Sequence, residues 1–137
     1  MIRILNRFSF KFLRVIVVLL ILPLMSFTFW QSNLSGQIAE AFKTNNAKAI
    51  ANFFGQNVAV SIKNDSGQYT KFQAELLLSD YFRSNKTSEI KQLQHTNRNN
   101  SSFYIVYNLK ANSGTYRIFL KFNQHNGESL ITELRIE

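Results

Sequence analysis

The sequence predicts an α+β fold: a curved antiparallel sheet wrapped around N-terminal helices and one longer helix. Three observations lead there. Apolar residues recur at helical spacing between residues 37 and 54, and again from 74 to 82. From residue 89 onward they alternate as in strands. Two consecutive alternating runs, SFYIVYNLKA (102–111) and TYRIFLKFN (115–123), are long enough to fix a hairpin register.

In order, Gln37–Thr44 (QIAEAFKT) places Ile38, Ala41 and Phe42 on one helical face, and Asn45-Asn46 ends it. Ala47–Phe54 (AKAIANFF) is a second short helix with Ala47, Ile50, Ala51 and Phe54 on one side and Gly55 as its stop. Val58–Lys63 (VAVSIK) alternates as a strand, Asn64–Gly67 is a turn, and Gln68–Tyr69 is a short return strand. Then comes YTKFQAELLLSDYFR. Thr70 and Gln73 have the spacing of a capping box. At ~100° per residue, Ala74, Leu77, Leu78, Tyr81 and Phe82 share one face, with Phe72 and Leu76 nearly opposite. A helix apolar on two sides is expected to be enclosed, between the sheet and the first helices.

Ile90–His95 (IKQLQH) is a strand whose imperfect alternation implies a bulge, followed by the loop Asn97–Asn100. In the hairpin, Phe103, Ile105, Tyr107 and Leu109 are odd, whereas Tyr116, Ile118, Leu120 and Phe122 are even. Bringing both sets to one face requires a loop of two or four residues. A turn at Asn112-Ser113 sets Leu109 opposite Tyr116 and Tyr107 opposite Ile118. The last strand, SLITELRIE (129–137), is expected to turn Leu130, Thr132, Leu134 and Ile136 inward after a three-residue loop, His125–Gly127.

The first third differs from the rest. Met1–Arg14 holds four basic residues and no acid, and the uncharged run VIVVLLILPLMSFTFW (15–30) follows. That order is the order of an export signal, and the run is short for a membrane span, which needs about 20 residues. The expected division is 1–36 as signal peptide or signal anchor and 37–137 as one cone-shaped domain. Ser26/Thr28 and Leu34/Gly36 are the tolerable cleavage pairs. Uncleaved, the basic flank keeps the N-terminus cytoplasmic, so both readings export the domain to the periplasm or medium. Membrane contact is expected only through this segment.

Of 16 basic residues, 12 lie after residue 36 with all 8 acids, a net charge of +4 for the domain. They are scattered without a run, which argues against nucleic-acid binding. There is no cysteine, so core packing alone must hold the domain.

The chain resembles the nuclear-transport-factor-2-like, or cystatin-like, cone. More narrowly, it is similar to an uncharacterised domain-of-unknown-function family of short exported bacterial proteins. The residues that carry the resemblance are Asn45-Asn46-Ala47, Phe53-Phe54, YTKFQAELLLSDYF, LQH at 93–95, GTYRIFLKF at 114–122 and the terminal LITELRIE. It covers nearly all of 37–137, and its most specific element is Lys71-x-Gln73-Ala74-Glu75 with Tyr81-Phe82 after it. Where the family pattern has a glycine two residues after the histidine, this chain has Asn97. The resemblance implies a scaffold without an assigned activity; the wider superfamily includes isomerases, dehydratases and plain binding or dimerising modules.

Enzymes on such a cone commonly set a carboxylate against an apolar pocket with a Tyr or second acid as donor. No acid of the domain is expected to point into the cone. The single catalytic candidate is His95, at a strand end near the expected cavity mouth. No metal-ligand spacing, phosphate loop or nucleophile elbow occurs, and no cofactor is implied. Phe54, Phe82, Tyr107 and Tyr116 are the candidate lining of a pocket for a small apolar ligand. On the outer sheet face, Tyr104, Val106, Arg117 and Phe119 are the candidate interface of a homodimer. The function expected is an exported, non-enzymatic binding or interaction module of unknown ligand. The alternatives are a small isomerase, dehydratase or hydrolase using His95 and a cavity tyrosine, and a structural dimeric envelope component.

Overall fold

A computed structural model describes residues 33–137. The expected export segment up to residue 32, with its Ser26/Thr28 cleavage pair, lies outside the described residues. Helix α1 is Leu34–Lys43, and it starts earlier than its apolar periodicity suggested because Asn33 caps it, accepting from the Gly36 N–H at 2.8 Å. The Leu34/Gly36 pair is therefore the first turn of a helix, with Ser35 buried. Asn46 caps α2 (Ala47–Ala51) through the Ala49 N–H, and Asn45, in the left-handed region at φ 54°, turns its side chain to the Thr87 N–H.

Helix α2 is shorter than expected. It ends at Asn52, and Phe54 and Gly55 belong to strand β1 (Phe54–Ile62) instead of closing the helix. The Phe53 carbonyl accepts from the Ile131 N–H at 2.6 Å, so sheet pairing overrides helical spacing at this point. Strand β2 (Asp65–Thr70) is a full return strand, and the turn before it is Lys63-Asn64, with Lys63 at φ 55°.

Helix α3 (Lys71–Ser84) carries the capping box: the Thr70 hydroxyl accepts from the Gln73 N–H at 3.2 Å and the Gln73 side chain accepts from the Thr70 N–H at 3.1 Å. Its Ala74, Leu78, Tyr81 and Phe82 face is buried. The opposite side is not enclosed: Phe72 is 66% and Leu76 49% exposed. Two apolar residues one turn apart did not suffice to recruit a covering element. Replacing Thr70 and Gln73 together by alanine is expected to lower stability by about 1–2 kcal/mol, measured by urea unfolding. An unchanged midpoint would remove the cap from the account.

Strands β3 (Thr87–Asn99), β4 (Ser102–Ala111), β5 (Gly114–His125) and β6 (Glu128–Ile136) form the meander, and the six-stranded sheet has the order β2-β1-β6-β5-β4-β3. Neighbours pair antiparallel except β1 and β6, which run parallel. The strand that opens the sheet meets the strand that closes it, and no hairpin dictates their direction.

The β4–β5 register follows the parity argument, with Leu109 opposite Tyr116 and Tyr107 opposite Ile118. The β5–β6 register does not follow the expected one. The turn is two residues, Asn126-Gly127, both left-handed at φ 50° and 79°, and His125 pairs with Glu128. The pairing then shifts at Lys121/Phe122, so Thr132 is an extra residue, a β-bulge, and Ile131 is turned inward instead of Leu130 and Thr132. Strand β3 is longer than predicted and replaces most of the expected Asn97–Asn100 loop. Its register against β4 shifts three times, at Ser88, Leu93 and Arg98. Each extra residue adds local twist.

The core lies between the inner sheet face and the helices. Ile105, Leu109, Ile118, Leu120, Phe122 and Leu134 are fully buried against Ile38, Phe42 and Leu78 from the helices.

Candidate functional site

Of the four candidate pocket residues, three are buried in the core. Phe54 and Phe82 are 2% exposed and Tyr107 is fully buried. Phe42 meets Phe82 edge-on at 5.8 Å and Tyr107 at 6.4 Å between ring centroids. The Tyr107 hydroxyl donates to the Ser35 carbonyl at 2.9 Å, which anchors the first turn of α1 on the sheet. Burial raises the Tyr107 pKa above its ordinary value, and the Ser35 contact partly offsets that. Tyr116 lies half-buried at the β4–β5 turn, edge-on to Tyr81 at 5.9 Å.

His95 is exposed and stacks on Phe103 at 5.1 Å, and Phe103 stacks on Phe122 at 4.8 Å. It caps an aromatic ladder that runs across three strands. His95 pairs with Ile105 whereas Tyr116 pairs with Leu109. Four residues of strand, ~13 Å, therefore separate their levels, and the structure does not bring the two together. Among the described residues no three His, Asp or Glu side chains gather to hold a metal ion. Nor is any described helix long and apolar enough to cross a membrane.

The four outer-face residues do come together. Alternation on β4 and β5 places Tyr104 and Val106 beside Arg117 and Phe119, and all four line one groove of about 380 Å³ with Leu93 and Arg135. Tyr104 packs on Phe119 at 5.2 Å, and the Arg135 guanidinium lies 4.5 Å over the Phe119 ring. Arg135 also reaches Glu133 at 3.1 Å and Glu137 at 3.8 Å. Leu93, one of the three extra residues of β3, is half exposed at the groove edge. Sequence alternation identified the two central strands and, with Leu134 and Ile136 inward, leaves Arg135 on the outer face, but Leu93 enters through a bulge that alternation cannot locate.

A second polar group lies elsewhere and has no sequence signal. Asn85, 3% exposed, follows α3 and donates its amide to the Tyr81 carbonyl at 2.8 Å. Its Oδ1 accepts from the Ser113 hydroxyl and from Tyr116 at 3.3 Å. Lys71 is exposed, whereas Glu75 is half-buried in the groove between α3 and the α1–α2 turn.

Residues 35–137 match the family described as "Domain of unknown function (DUF4783)". A DUF4783 family protein from Bacteroides fragilis is 29% identical, with a TM-score of 0.69 over 73% of this chain and 93% of that one. A DUF4783 family protein from Bacteroides uniformis is 23% identical, with a TM-score of 0.72 over 77% of this chain and 96% of that one. An NTF-2 like protein of unknown function from Silicibacter pomeroyi is 9% identical, with a TM-score of 0.58 over 76% and 88%. No curated protein matches the chain. The described residues thus have the nuclear-transport-factor-2-like fold, and in the Bacteroides structures this unit makes up nearly the whole chain.

Proposed function

The chain belongs to the DUF4783 family of domains of unknown function, and from that premise we propose that it is an exported interaction module that pairs with a second copy of itself through the outer sheet face. The basic and then apolar order of residues 1–30 supports export. The observation that carries the interaction reading is the outer groove of Tyr104, Val106, Phe119 and Leu93. Its centre is aromatic and its rim charged, the pattern of an interface core within a polar surround. The rim holds both signs. Arg117 has no side-chain partner among the described residues, while Glu133 and Glu137 stand on the neighbouring strand and terminus. Under two-fold symmetry such a patch is its own complement. The inner residues, by contrast, fill the cone with side chains, which favours a surface role over an interior one.

Sedimentation of residues 33–137 tests this. A dimer is expected, with Phe119→Lys weakening it at least about thirtyfold without changing the thermal midpoint by more than a few degrees. A clean monomer at high concentration, or a dimer indifferent to Phe119→Lys, would overturn it.

A further inference from the structure

On the helical side of the domain, a groove of about 550 Å³ runs between α3 and the α1–α2 turn. From α3 it takes Glu75, Leu76, Ser79, Phe82 and Arg83, with Lys86 just past the helix end. Spacing of three and four makes this wall one stripe along the helix axis. Eight residues separate Glu75 from Arg83, ~12 Å at the helical rise. The charges on this wall are therefore segregated, with the acid at one end and two bases at the other. The facing wall is Thr44, Asn45, Asn46, Ala47 and Lys48. Among the described residues, Glu75, Lys48 and Lys86 make no ion pair or side-chain hydrogen bond, and Glu75 is half-buried. Arg83 meets Asp80 at 3.2 Å in an exposed pair. Asn45 and Asn46 use their side-chain oxygens on the Thr87 and Ala49 amides, which leaves both NH2 groups as donors. The Thr44 hydroxyl is engaged by the Glu40 carbonyl at 2.9 Å.

From this we infer that the groove binds an extended peptide of three residues with both termini free, its ammonium at Glu75 and its carboxylate at Arg83 and Lys86. The length sets the ligand. At about 3.4 Å per residue, three extended residues span ~10 Å, close to the separation of the two charged ends. A single amino acid, with its charges one residue apart, reaches one end only. Peptide carbonyls along the way accept from the Asn45 and Asn46 amides, which is the hydrogen bonding an extended chain offers and an apolar ligand lacks. Ser79, midway along the stripe, is small enough to let a backbone approach. Leu76, 49% exposed, gives one ligand side chain an apolar contact. The reading is independent of the outer sheet face, so neither proposal stands or falls with the other.

The test titrates residues 33–137, the unit that makes up nearly the whole chain in the Bacteroides structures, with trialanine, its N-acetyl form and its C-terminal amide. Amide shifts in NMR spectra should move at Lys48, Ser79 and Lys86. Trialanine should bind about fivefold more tightly than either capped form. Glu75→Gln should remove the advantage over the N-acetyl form and keep the advantage over the amide. Arg83→Gln with Lys86→Gln should do the reverse. Glutamine keeps the size of Glu75, and Arg83 and Lys86 are exposed, so these variants should fold; the parent's own ranking of the three probes needs no variant. Equal binding of the three probes, or an absence of shifts in the groove, overturns the inference. So does an advantage over the N-acetyl form that survives Glu75→Gln. Sensitivity to amidation without sensitivity to acetylation would mean a simple anion site, and it overturns the peptide reading as well.

Discussion

Phe122→Ala is expected to destabilise the domain by about 3–5 kcal/mol, the range for deleting a large buried aromatic. Phe122 is fully buried, lies between Phe103 on β4 and Ile131 on β6, and stacks on the Phe103 ring at an interplanar angle of 6°. Removing it leaves a cavity at the end of the sheet where His95 covers Phe103, and the ladder loses its buried inner member. The Thr132 bulge fixes Ile131 against Phe122, so the backbone there has little freedom to close the gap. A domain of this size has about 5–15 kcal/mol of stability in total. The thermal midpoint should therefore fall by more than about 12 °C. Circular dichroism is the suitable probe, because the sequence's one tryptophan, Trp30, lies outside the domain. A loss below about 1 kcal/mol would mean that this end of the sheet is not packed as described.

Asn85→Ala should cost about 2 kcal/mol through the loss of buried hydrogen bonds. Asn85 links the C-terminus of α3 to the Ser113 turn and to Tyr116. Alanine leaves Ser113 and Tyr116 bonded only to each other, at 2.9 Å, and frees one lone pair of the Tyr81 carbonyl. Asn85→Asp separates shape from hydrogen bonding, because the amide donor is lost at constant volume. Burial should raise the folded pKa of the introduced carboxyl above its unfolded value near 4. Its neutral form is then the one the fold tolerates. The deficit of Asn85→Asp relative to the parent should be smallest below about pH 4 and grow as pH rises towards 7. Urea unfolding at both pH values measures it, and a pH-independent deficit would count against the buried position of this side chain.

How much of this was legible depended on whether a feature is local. The capping box and the buried face of α3 involve residues within one helix, and both can be read from spacing. The β4–β5 register was legible because its parity is unbroken and its turn has two residues. The extra residue Thr132 reverses parity in the middle of β6, and its position depends on pairing with β5, so alternation alone assigned Leu130 and Thr132 to the wrong side. Phe54 followed helical spacing with Ala47 and Ile50, yet β1 begins there because β6 offers backbone partners. Phe72 and Leu76 looked enclosed because apolar spacing says where a side chain points, not whether anything lies there. At the candidate interface, Tyr104, Val106, Arg117 and Phe119 were legible as one face, and the edge contributed by Leu93 was not. Asn85 was invisible because the groups that bond its side-chain oxygen, Ser113 and Tyr116, lie 28 and 31 residues away.

The three irregularities of β3 bear on how the molecule behaves in company. β3 is an outermost strand of the sheet, and a long, flat outer strand offers a ladder of unpaired amides to any extended chain. The extra residues at Ser88, Leu93 and Arg98 break that ladder into short runs out of phase with one another. The other outer strand, β2, is only six residues long. Neither border suits strand-by-strand growth, so the domain can be concentrated without its sheets joining into larger β-assemblies. The pairing we propose through the broad side of the sheet differs in kind: a two-fold contact closes on itself and stops at two copies.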